Sequence, residues 1–140
     1  MWEGESPVVD LDEAEAWDRL RENSLARLAV SAVGEVDIFP INYYADGSTI
    51  LFRTAPGTKL LELTVNSRVA LEIDGYTADD AWSVVVKGSA ERIERQSEID
   101  EADLAPLVPW IPTLKYAYVR VTPTRITGRR FERAPEPERY

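Results

Sequence analysis

The chain has 140 residues, a formal charge of −9, and neither cysteine nor histidine. Lack of cysteine excludes disulfides, thiolate chemistry and cysteine-held metals; lack of histidine excludes imidazole bases, histidine–zinc sites and histidine-ligated haem. The acidic balance argues against nucleic acid as a partner, and no apolar run is long enough to span a bilayer. With no secretory leader visible, a single cytoplasmic, non-membrane domain is expected.

Residues 1–10 read as an N-terminal tail, in which Met1–Val9 has the alternative of an edge segment. Asp12 and Glu15 have capping-box spacing, and Leu11, Ala14, Trp17 and Leu20 continue as a helical stripe. Leu25–Ser31 alternates like a strand, and Val33-Gly34-Glu35 turns it. Val36–Tyr44 is rich in β-branched and aromatic residues; Asp46-Gly47 reverses it and Ile50–Thr54 returns. Ala55-Pro56-Gly57 breaks that strand, so a short helix carrying Leu60, Leu61 and Leu63 is expected to start at Thr58-Lys59. Arg68–Ile73 and Trp82–Arg95 are further strands, with Gly88 marking a bulge or a close approach of chains in the second.

Ser97–Leu104 reads as a helix capped by Ser97. Pro106, Pro109 and Pro112 then impose an irregular stretch around Trp110. Tyr116–Val121 and Arg125–Phe131 read as the last two strands, divided by Thr122-Pro123, and residues 134–140 as a charged tail. The domain therefore occupies residues 11–133. Its class is mainly β, an antiparallel barrel with short flanking helices, and periodicity leaves OB-like and SH3-like topologies open.

Arg53, Thr54, Thr58 and Lys59 gather cationic and hydroxyl donors around one strand end and one helix start. Unpaired N–H groups at a helix start favour a phosphate, and a guanidinium presents a planar fork to it. The plainer alternative is a solvated arginine and an ordinary cap. Ile50, Phe52 and Thr54 share one strand face, and Leu51 and Arg53 the other. Pro40 removes a ladder donor in mid-strand, so that strand lies at an edge or is bulged there. Its neighbours Phe39, Ile41 and Asn42 offer main-chain polar groups and flat apolar surface to a ring, or pack as core. Trp82 and Ser83 fall on opposite faces of their strand, and Trp110 suits a rigid wall or a subunit contact. Arg125, Arg129 and Arg130 form a late cationic cluster. Asp74, Asp79 and Asp80 lack metal-ligand spacing, and no serine sits in a nucleophile-elbow context.

The pieces DIFPINYYADGSTILFRTAPGTKL, RVALEIDGY, WSVVVKGSAERI, PLVPW and TPTRITGRRF stand in this order. Together they resemble the pyridoxamine 5′-phosphate oxidase-like family of FMN-binding split barrels, near its nitroimidazole-resistance flavoprotein branch, over roughly Trp17 to Phe131. The resemblance implies a six-stranded antiparallel split β-barrel and a homodimer with cofactor sites between subunits. It places Phe39, Pro40, Ile41 and Asn42 along the isoalloxazine and ribityl part of FMN. Phe52, Arg53 and Thr54 take the phosphate strand, Thr58 and Lys59 the phosphate helix, Ser83 a polar cofactor contact beside Trp82, and Trp110 a contribution from the partner subunit. It implies an FMN-dependent oxidoreductase acting on a small planar or conjugated substrate. An F420-dependent reductase and a non-catalytic flavin carrier are the alternatives. Vitamin B6 oxidase activity is not expected, because those enzymes carry a C-terminal arginine–histidine arrangement and this chain has no histidine.

Overall fold

A computed structural model describes residues 8–108 and 116–133; Trp110 lies outside the described residues. In chain order the elements are β1 (Val8–Leu11), α1 (Glu13–Glu22), β2 (Leu25–Ala32), β3 (Glu35–Ala45), β4 (Ile50–Thr54), α2 (Thr58–Val65), β5 (Arg68–Tyr76), β6 (Asp80–Arg92), α3 (Gln96–Asp103) and β7 (Ala117–Glu132). The period-two pattern of the sequence becomes a period-two pattern of burial. Ala26, Leu28 and Val30 of β2 point inward, as do Val69, Leu71 and Ile73 of β5 and Val84 and Val86 of β6. Ile50 and Phe52 of β4 meet Val119 and Val121 of β7 across the sheet, and all four are buried. Burying such side chains contributes about 1.5–3 kcal/mol each, which makes this inner layer the main source of stability.

The sheet runs β1-β7-β4-β3-β2-β5-β6, and β6 pairs again with β7. Six strands, β2 to β7, therefore close on themselves into the expected split barrel. β4 holds β7 at Ala117–Val121 and β1 holds it at Gly128–Phe131. The edge alternative for the N-terminal segment is thus the one realised from Val8 onward.

Two expectations need correction. Thr122-Pro123 does not divide two strands: β7 is continuous over 16 residues. Its ladder with β6 slips instead, from Lys87↔Arg125 to Gly88↔Pro123. Thr124 is the extra residue, and its hydroxyl donates to Lys87 O at 3.1 Å. A bulge absorbs what proline disrupts. Gly88 makes this possible, since a Cβ there would stand 2.4 Å from Thr122 O. The second correction is the cap of α3, which is Arg95 rather than Ser97, with no side-chain cap bond. Gln96 Nε2 donates to Asp100 Oδ1 at 2.8 Å and braces the first turn from outside.

The helices fill what the barrel leaves open. α1 starts with the predicted capping box between Asp12 and Glu15 and buries Ala16, Trp17 and Leu20. Tyr43 OH donates to Leu20 O at 2.8 Å, tying α1 to β3. α2 buries Leu60 and Leu63. α3 covers the outer face of β4 and β7, where Ala102 packs with Leu51, Ile93 and Tyr118. Among the described residues no helix is long and apolar enough to cross a membrane.

Candidate functional site

Tyr43 N–H donates to Ser24 O at 3.0 Å. Odd-numbered residues of β3 therefore turn their main-chain groups toward β2, and even-numbered residues turn theirs to the other side. From Tyr43 onward that other side is taken by β4. Before it, at Val36, Ile38 and Pro40, no strand among the described residues pairs there. Pro40, with no N–H to satisfy, belongs to this set; of the two sequence alternatives, an edge or a bulge, the edge is the one seen among the described residues.

β4 ends at Thr54 and α2 starts at Thr58. The two helix starts contrast. α1 has a side-chain cap and acidic residues in its first turn. α2 begins from Gly57 with no side-chain cap bond and no acidic residue in its first turn. Its leading N–H groups are thus available to an anion. Lys59, on this first turn, places Nζ 5.1 Å from the centre of the Phe39 ring. Burial pushes its pKa down, and no carboxylate pairs with it among the described residues.

Arg53 points to the opposite face of β4, where its guanidinium lies 4.2 Å from the Tyr116 ring. Its Nε is buried without a hydrogen-bond partner. An unsatisfied donor on a permanent cation is costly, and an anionic ligand would remove that cost. Tyr116 was not singled out by sequence; the register Arg53↔Tyr118 brings the two strands together there.

The remaining candidates divide by face. Phe52 is fully buried, and Ile41 nearly so, so a ligand reaches them only through main chain. Thr54 is also buried, and its hydroxyl donates to Ala55 O at 3.3 Å. Asn42 is half-buried, with Nδ2 3.5 Å from Ser24 O; Thr58 is exposed. Ser83 is on the outer face, between Asp74 and Arg129 in register. Trp82 is on the inner side, lying flat against Gly75 with the Arg19 guanidinium 4.9 Å from its ring. Phe39 aligns through Leu28 and Leu71 with Val86. Trp82 is four residues along β6 from that level, about 13 Å at strand rise. The structure thus joins Lys59 to Phe39 and keeps Trp82 at the α1 end of the barrel.

A second feature beside Lys59 escaped sequence reading. One oxygen of Glu62, a turn further along α2, is shielded and has no hydrogen-bond partner. Desolvation and the neighbouring Asp37 and Glu35 of β3 raise its pKa. Two carboxylates offer no proton to each other; a carboxyl and a carboxylate do. Asp37, which raises the Glu62 pKa, stands on β3 two residues from Phe39.

Residues 12–130 match the family described as Pyridoxamine 5′-phosphate oxidase. A Corynebacterium glutamicum structure bearing that activity as a provisional name is 44% identical, with a TM-score of 0.83 over 94% of this chain and 98% of its own. The FAD-binding protein of Mycobacterium smegmatis is 40% identical, with a TM-score of 0.75 over 88% of this chain and 99% of its own. An uncharacterised protein of Mycobacterium tuberculosis strain H37Rv is 45% identical over 93 residues, 66% of this chain and 84% of that protein.

Proposed function

This chain belongs to the pyridoxamine 5′-phosphate oxidase-like family of flavin-binding split barrels, and on that premise we propose that it binds FMN and works as a flavin-dependent oxidoreductase on a small planar or conjugated substrate. One observation carries the reading: Arg53, a cation with a buried, unpartnered Nε, stands five residues before Thr58, where a helix starts without a side-chain cap. The donor set suits a phosphate monoester. Arg53 and Lys59 supply charge, Thr58 supplies a hydroxyl, and the first turn of α2 supplies main-chain N–H groups. The open edge of β3 at Ile38 and Pro40 supplies main-chain groups for the rim of a heteroaromatic ring, with Phe39 and Asn42 beside it.

A bound flavin would supply hydride chemistry. The residues named here would hold it, fix its orientation and shield one face from water. None of them is placed as an acid or base. Because this chain lacks the histidine of the vitamin B6 oxidases, turnover of pyridoxamine 5′-phosphate is not expected. A cytoplasmic homodimer is part of the same proposal. Val36 and Ile38 share the outward face of β3 and are 69% and 67% exposed, a surface suited to a second copy beside the open edge.

The FAD-binding relative gives FAD as the second reading, since FAD shares the ring and first phosphate and adds an adenylate. Gentle purification, an absorption spectrum and mass spectrometry of the released ligand separate the cases. FMN is the expected ligand. A deazaflavin spectrum would redirect the assignment to F420. Failure of FMN, FAD and F420 to bind in titration would sink it.

A further inference from the structure

A cleft of about 380 Å³ opens between the start of α1, the β3–β4 turn and the bulge of β7. It is lined by Glu13, Trp17, Ser48, Thr124, Arg125 and Ile126 among others. Its size suits a small molecule. The β3–β4 turn that forms one wall is fixed by Asp46, whose carboxylate accepts from Ser48 N, Thr49 N and Thr49 Oγ1. The opposite wall is set by the β7 bulge, held by Thr124 on Lys87 O.

Two opposite charges line this one cleft without meeting. Glu13 and Arg125 make no ion pair with each other or with any other described residue. Around Glu13 the neighbouring carboxylates Asp12 and Glu15 are occupied with each other's main chain in the capping box. Around Arg125 the cross-strand neighbour is Lys87, another cation. Like charges directly opposite in a sheet repel. Glu13 and Arg125 thus bring one charge of each sign to the lining of the cleft, and together they suit a ligand carrying both.

We propose that this cleft is a second binding site, for a small zwitterion whose ammonium and carboxylate are separated by a short apolar linker. Arg125 takes the carboxylate as a planar fork. Glu13 takes the ammonium. Ser48 offers a hydroxyl and Thr124 an acceptor oxygen, its proton being given to Lys87 O, and Trp17 and Ile126 give the linker an apolar contact. The assignment is independent of the flavin reading.

The test uses the full chain labelled with ¹⁵N. It is titrated with a graded series of glycine, β-alanine, 4-aminobutyrate and 6-aminohexanoate, and separately with butylamine and butyrate. The expected result is amide shifts confined to Glu13, Gly47, Ser48 and Thr124–Ile126, strongest for one chain length. Glu13→Gln and Arg125→Met should each weaken that ligand about fivefold or more. Both positions are exposed, and the spectrum itself reports whether each variant is folded. No saturable shift with any zwitterion would overturn the proposal. So would equal binding of butyrate or butylamine, or shifts unaffected by both substitutions.

Discussion

Arg53 and Lys59 differ in what surrounds them, and the difference can be measured. Arg53 is stacked on Tyr116 with one donor orphaned; Lys59 is partly desolvated against Phe39. Charge-assisted bonds contribute about 1.5–3 kcal/mol. Arg53→Ala or Lys59→Ala is therefore expected to weaken FMN by roughly 10- to 150-fold and riboflavin far less. Calorimetric titration with both ligands checks this, and equal losses would move the residues away from the phosphate. Glu62 gives a pH signature that needs no flavin. Its folded pKa is raised, so the folded state keeps a proton that the unfolded chain releases near 4.5. Its contribution is complete below that pH and is lost as pH rises through the folded pKa. Glu62→Gln removes the loss, so its melting temperature relative to the parent should climb between pH 4 and 8. Glu72, raised by burial and by Asp74, remains in both proteins and cancels in the difference. A flat or falling difference would contradict the shared-proton pair. The cations were legible in the sequence because a strand break and a helix start lie side by side. Tyr116, Asp37 and Glu62 were not, because their contacts depend on register between distant segments.

At the level of elements, local chemistry was read well where a partner lies within a few residues. The Asp12–Glu15 box, the Asp46-Gly47 reversal and the edge position of Pro40 all have short-range causes. The continuity of β7 does not. A proline beside a threonine reads as a break, and only Gly88 on the facing strand converts it into a bulge. Gly88→Ala should therefore cost about 1–3 kcal/mol through forced displacement of Thr122. At this chain length that is a fall of roughly 3–10 °C in melting temperature. An unchanged melting temperature would mean that the β6–β7 ladder slips without cost. The α3 cap failed for a related reason: Ser97 has the right chemistry, but the cap position falls two residues earlier, at Arg95, and the first turn is braced by Gln96.

For the whole molecule, the outward face of β3 predicts self-association. Val36 and Ile38, and Leu25 of the neighbouring β2, remain exposed in a single chain. Sedimentation equilibrium at micromolar concentration should give a dimer, and Ile38→Lys should shift it toward monomer by placing a charge in the contact. A monomer at all concentrations, with FMN present, would remove the interfacial site. A separate consequence follows from β7, which pairs with β1, β4 and β6. Every strand it joins is made earlier in the chain, and its pairing with β1 spans almost the whole described sequence. A ribosome-bound chain that has extruded β6 but not β7 therefore carries two unsealed borders, one on β4 and one on β6, and a β1 whose sole partner strand among the described residues is still missing. Such borders recruit other nascent strands. The yield of native protein should then depend on how quickly translation proceeds from Arg92 to Glu132, so that synonymous slow codons in that interval would raise aggregation without altering a single residue of the finished barrel.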